Sequence, residues 1–154
     1  MKFGSKLIVV AVAALMSVSA FAAEGAVKIS ASGPSKSAPG KDVTILVKFN
    51  VKEGYHIYGP GKIDTGIPTD VSVVAPKGFK VKKTTYPATK MFKALGETVP
   101  VFEHSGTVKV TLTAPASAHG KQNFVVKVKS QACNDRTCLM PTTDEAKVSI
   151  NFQK

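Results

Sequence analysis

The chain is 154 residues long and carries 21 Lys and Arg against 10 Asp and Glu, a formal charge of +11. That length is enough to bury a core and makes one domain the default. The positive charge suits solubility and weak attraction to anionic surfaces, but the lysines are scattered along strand patterns with no recognition helix, which argues against nucleic acid as a partner.

The first residues read as an export signal. Lys2 and Lys6 precede an apolar run over residues 7–16, and Ala20-Phe21-Ala22 places small residues at the spacing a signal peptidase reads. The run is shorter than the roughly 20 residues a bilayer requires. Cleavage is expected after Ala22 or Ala23, leaving residues 1–22 as the leader and residues 23–154 as a single exported domain. Without Lys2 and Lys6 there are 19 basic against 10 acidic residues, a charge of +9. No cysteine lies near the cleavage site, which argues against a lipid-modified N-terminus. No later stretch is apolar enough to span a membrane.

Beyond the Ser-, Pro- and Gly-rich loop of residues 33–40, residues 42–51 alternate. Val43, Ile45, Val47 and Phe49 share one face, and Thr44 and Lys48 the other, the pattern of a half-buried strand. Short strands are expected at residues 55–58 and 71–74, and alternation returns over 79–85 until Tyr86-Pro87 breaks it. Residues 88–98 fit no strand pattern. Met91, Phe92 and Leu95 have helical spacing, but the segment is too short for an independent helix, so a loop or single turn carrying apolar side chains is expected. Strand patterns resume at residues 99–104, 107–113, 122–130 and 146–152. About nine short strands between Gly and Pro turns, with no sustained helical period, indicate an all-β sandwich.

The two cysteines, Cys133 and Cys138, sit in a polar stretch between two of these strands. An even cysteine count in an exported chain implies a disulfide at rest. The bond would close a very short loop, a contribution of roughly 2 kcal/mol in the chain-entropy account. Asn134, Asp135 and Thr137 point to an exposed turn, and Arg136 is placed to stabilise a nearby thiolate. The spacing is not Cys-x-x-Cys and no βαβ pattern surrounds it, so cysteine arithmetic alone favours a structural staple over a redox site. Zinc needs about four ligands, and His56, His104 and His119 are spread along the chain, so no metal site is expected. Copper is a weaker alternative, with Met91, Met140, His56 and the cysteines as soft ligands. In residues 55–58, alternation puts His56 and Tyr58 on one face and Tyr55 and Ile57 on the other, and ordinary core aromatics are the plainer reading. Glu103, His104 and Ser105 are adjacent in sequence at a turn, and adjacent residues on a strand point in opposite directions, so they make no hydrolytic triad.

Three features together resemble a known family: Glu53-Gly54-Tyr55-His56-Ile57-Tyr58, the Tyr86-Pro87 break, and Gln131-Ala132-Cys133-Asn134-Asp135-Arg136-Thr137-Cys138-Leu139-Met140-Pro141. The chain is similar, over about residues 27–152, to the N-terminal periplasmic domain of DsbD, the thiol–disulfide interchange protein. The resemblance implies an immunoglobulin-like antiparallel β-sandwich with the cysteines on a hairpin at one edge. It implies a periplasmic location and disulfide-reductase chemistry, in which electrons come from a thioredoxin-like domain or membrane thiol carrier and pass to periplasmic disulfide isomerases or reductases. Carried over, Cys138 forms the mixed disulfide with partners and Cys133 resolves it. The stretch around residues 90–94, with Phe92 first and Met91 second, corresponds to a cap over the pair. His56 and Tyr58 lie near the disulfide, and His56 stands where some members have tyrosine. No cofactor is implied. The full family protein continues into a membrane-spanning carrier and a thioredoxin-like domain, whereas this sequence stops at Lys154, so a separate electron donor is expected. Two other readings stay open: an exported binding module with an inert staple, and a copper-binding protein.

Overall fold

Alternating β-branched and polar residues build almost everything the computed structural model describes, which is residues 25–94 and 96–154. The expected leader and Leu95 lie outside the described residues. The strands are β1 (Val27–Ser32), β2 (Lys36–Ser37), β3 (Asp42–Val51), β4 (His56–Tyr58), β5 (Asp70–Val74), β6 (Lys80–Thr85), β7 (Lys90–Ala94), β8 (Glu97–Glu103), β9 (Ser105–Thr113), β10 (Gly120–Ser130), β11 (Ala132–Cys133) and β12 (Thr142–Phe152). They form three four-stranded sheets, ordered β1-β3-β9-β6, β2-β12-β10-β5 and β11-β4-β8-β7. All pairings are antiparallel except the short one between β12 and β2.

The first two sheets face each other. Val43, Ile45, Val47, Phe49 and Val51 of β3, with Val108, Val110 and Leu112 of β9, come from one side. Phe124, Val126 and Val128 of β10, with Val148, Ile150 and Phe152 of β12, come from the other. Phe79 closes one margin, its ring 5.1 Å from that of Phe124 and 5.2 Å from that of Phe152. Each fully buried Ile or Phe stabilises the fold by roughly 1.5–3 kcal/mol through surface removed from water. This is the all-β, immunoglobulin-like sandwich expected from the sequence.

The third sheet grows from one end of the sandwich. β4 follows β3, β11 follows β10, and β8 leads into β9 through the single residue His104, which has φ 60°. β4 and β8 are covered on both faces. Ile57, Phe102 and Ala132 are in register and join the main core. Tyr58, Val99, Val101 and Cys133 form a second, smaller cluster on the opposite face, with Ile63 and Phe92 packed against it. The disulfide therefore lies over its own small core.

The structure differs from the sequence-based expectation in four segments. Residues 88–98, expected to be a loop or single turn, contain β7 and the start of β8, a hairpin closed at Gly96 with φ 87°. β7 is an edge strand whose Met91 is 59% exposed, so the alternation that betrays a buried strand is absent. Lys36–Ser37, inside the expected loop, pairs with Asn151–Phe152. Val27–Ser32 and Ala132–Cys133 are strands fixed by pairing with β3 and β4.

Candidate functional site

The connection between β10 and β12 makes an excursion over residues 131–141, because the two strands leave register at Ser130 and Thr142. The excursion starts as β11, in which Ala132 pairs with Ile57 and Cys133 with His56. Asn134 then shapes the turn. Its Oδ1 accepts hydrogen bonds from the backbone N–H of Arg136 at 2.9 Å and of Thr137 at 2.8 Å, and its own N–H donates to Thr137 O at 2.9 Å. Asn does this because its short side chain reaches backbone donors two and three residues on. The chain folds back so that Leu139 N–H donates to Ala132 O at 2.8 Å. Cys133 and Cys138 are bonded, with Cα atoms 4.0 Å apart.

Gln131 ties this loop to its support. Its Oε1 accepts from Ile67 N–H at 3.0 Å, and its Nε2 donates to Leu139 O at 3.1 Å. One amide thus joins the exit of the cysteine loop to the 61–69 loop behind Tyr58. That loop holds Tyr58 from two sides. Thr69 Oγ1 donates to Tyr58 O at 2.6 Å, and Gly66, at φ 87°, lies so close that a Cβ there would overlap the Tyr58 ring. The Tyr58 hydroxyl is 3.8 Å from Cys133 Sγ. In the disulfide only the hydroxyl has a proton to donate.

The two sulfurs meet different surroundings. Cys133 is 2% exposed within the second cluster, whereas Cys138 is an exposed residue. Between the cysteine loop and the β7–β8 hairpin lies a cleft of about 440 Å³, lined by the disulfide together with His56, Tyr58, Phe92, Lys93 and Arg136 among others. The Phe92 ring reaches across β8 to lie 4.4 Å from the His56 imidazole, which sits edge-on to Tyr58 at 6.0 Å. Burial holds the His56 pKa below its ordinary value, opposed by the negative charges of Glu103 and Asp135. A hydrogen bond from Lys90, at 2.9 Å, holds the Glu103 carboxyl below the usual range.

Of the residues singled out in the sequence, Cys133, Cys138, Phe92, His56, Tyr58 and Arg136 all line this cleft. Met91 does not line it and is instead exposed on the hairpin. Met140, 83% exposed, also lies outside the cleft lining. Among the described residues no three His, Cys, Asp or Glu side chains gather as a metal-sized cluster, and no helix is long and apolar enough to cross a membrane. The sequence reading used Asn134 only as a sign of an exposed turn and Gln131 only as part of a motif, and assigned neither a hydrogen-bonding role. Asn at the head of a tight turn is a usable signal, while the bridge made by Gln131 depends on a loop 64 positions away.

The class is now defined: an immunoglobulin-like sandwich domain bearing a disulfide, half buried and half exposed, at one end. A family model described as "Thiol:disulfide interchange protein DsbD, N-terminal" matches residues 24–150, and the chain belongs to that family. Among solved structures, the N-terminal periplasmic domain of ScsB from Proteus mirabilis shares the fold, with a TM-score of 0.53 and 16% identity over 79% of this chain and 44% of that one. The chain thus spans less than half of that relative's length. The DsbD N-terminal domain of Neisseria meningitidis in its reduced form is 16% identical, over 73% of this chain and 82% of that one, with a TM-score of 0.49. No curated protein sequence matches the chain. The family and the bonded cysteine pair are consistent with thiol–disulfide exchange.

Proposed function

We propose that this chain is a periplasmic thiol–disulfide exchange module, exported by residues 1–22, that relays electrons through Cys133 and Cys138. The donor is a thioredoxin-like domain or membrane thiol carrier, and the acceptor is a periplasmic disulfide isomerase or reductase. The observation that carries this reading is the unequal exposure of the two cysteines at a cleft. Exchange proceeds by attack of a thiolate on one sulfur of a disulfide, and access decides which sulfur is attacked. A donor thiolate can reach Cys138 Sγ and displace Cys133 as the leaving thiolate, next to the Tyr58 hydroxyl. A second donor thiolate then attacks the mixed disulfide and leaves both cysteines reduced. In the opposite half-cycle the Cys138 thiolate attacks the acceptor's disulfide, and Cys133 resolves the mixed disulfide. Phe92 shields the pair between encounters. Arg136, Lys93 and the overall positive charge favour partners with an acidic rim around their own cysteines.

Trapping tests the assignment. Reduced Cys133→Ser, incubated with periplasmic extract, is expected to accumulate a disulfide-linked adduct through Cys138, whereas Cys138→Ser is not. Adducts from Cys138→Ser alone would reverse the two roles. If neither variant forms an adduct and the wild-type disulfide resists thioredoxin-like reductants, the pair is an inert staple.

A further inference from the structure

We propose that His56 is the proton acceptor that converts the buried Cys133 thiol into the thiolate that resolves the mixed disulfide. This rests on the exchange reading above and deepens it. His56 lies directly across the β4–β11 ladder from Cys133, and both side chains line the same cleft. Residues paired this way have Cβ atoms roughly 5 Å apart. His56 is only 5% exposed, yet its Nε2 is buried with no hydrogen-bond partner among the described residues. A histidine kept for packing alone normally has its buried nitrogens satisfied. Nε2 makes no bond to Cys133 Sγ in the disulfide form, and an open lone pair on a ring that lines the same cleft is what could accept a proton once the disulfide is opened.

The charged and titratable groups around the ring come from every neighbouring element. Glu103 faces it from β8, with Lys90 of β7 bound to that carboxylate. Lys93 of β7 and Asp135 and Arg136 of the cysteine loop line the same cleft, and Tyr58 shares its strand. Burial lowers the imidazole pKa, while Glu103 and Asp135 act against that lowering. The ring is therefore neutral at neutral pH and able to accept a proton.

The step balances without another reactant. Cys138 is first joined to the partner's sulfur, and Cys133, 2% exposed in the disulfide, is then a thiol in a cluster of apolar side chains. His56 takes its proton. The Cys133 thiolate attacks Cys138 Sγ, so that the Cys133–Cys138 bond forms as the bond from Cys138 to the partner breaks. The partner leaves as a thiolate with the bonding pair, and the imidazolium returns the proton to it. Run backwards, the same imidazolium protonates Cys133 as it leaves.

The test uses the reduced full-length domain and an aromatic disulfide, dithiobis(nitrobenzoate), followed by stopped-flow absorbance. The first thionitrobenzoate reports attack by Cys138, and the second reports resolution by Cys133. In wild type the second release is expected to rise with pH and level off below about pH 6.5, the ordinary histidine value. In His56→Phe it is expected to be slower by about 10²-fold at neutral pH, the lower end of general acid–base contributions. It should then climb towards the ordinary thiol value near pH 8.5. A second release in His56→Phe with wild-type rate and pH profile would overturn the proposal. A wild-type protein that gives no first release removes the exchange reading and this proposal with it. Independently of folding in the variant, an NMR titration of the His56 ring in reduced wild-type protein should give the midpoint of the second release; a different midpoint also overturns the proposal.

Discussion

At the scale of single residues, the site is a pair of directly bonded cysteines that differ widely in exposure. Cys138 can be approached from outside, while Cys133 sits among Tyr58, Val99 and Val101. Phe92 lines the cleft from the hairpin side, its ring 4.4 Å from that of His56. Phe92→Ala is therefore expected to speed oxidation of the reduced pair by small uncharged disulfides, on the order of tenfold, because access limits exchange. Thiol titration against time checks this, and an unchanged rate would remove Phe92 as the shield. His56 also leaves a mark on stability. Its folded pKa lies below the unfolded one, so between about pH 6.5 and that folded value the unfolded chain binds more protons and stability falls as pH drops. Glu103 is shifted the same way, but its contribution is lost only in the lower carboxylate range. Denaturant unfolding between pH 7.5 and about pH 5 should show wild type losing more stability than His56→Phe; equal slopes would contradict the assignment.

At the scale of elements, the loop carrying the cysteines is held by partners outside itself. β11 is fastened to β4, Gln131 fastens the loop exit to the chain behind Tyr58, and β7 is fastened through β8. The crossing from the third sheet to the first is tight. Gly106 follows His104, and a Cβ at Gly106 would overlap the buried Phe49 ring. Gly106→Ala is expected to cost about 1–3 kcal/mol, the usual penalty for overpacking, measured by chemical denaturation; a neutral effect would mean that Phe49 repacks freely. These elements also mark what the residues could and could not reveal. β3 was legible because Val43 to Phe49 alternate over a buried face, and its expected bounds match the observed Asp42–Val51. β7 was not, because an edge strand with one half-buried ring has no period to read. Cys133, Cys138 and Arg136 were legible from the residues themselves, whereas Phe92 as a cap and the placing of His56 and Tyr58 near the pair came from a family resemblance; all six fall around one cleft. The Gln131 bridge and the orphaned His56 nitrogen arise from contacts between distant segments, which no local pattern encodes.

At the scale of the whole molecule, the sandwich is packed around a core that excludes the disulfide. The main core contains neither cysteine, and Cys133 belongs to the smaller cluster. Closing so short a loop contributes only about 2 kcal/mol, so the reduced domain is expected to remain folded. The proposed exchange requires this bond to be open to reduction, and Cys138 is an exposed residue. The most direct measurement is the reduction potential of the Cys133–Cys138 pair, by equilibration with glutathione or a thioredoxin-like protein of known potential. The account predicts a value above about −300 mV, within reach of a thioredoxin-like donor near −270 mV. A value well below −300 mV, with no reduction by that donor, would contradict it and leave the pair a structural staple.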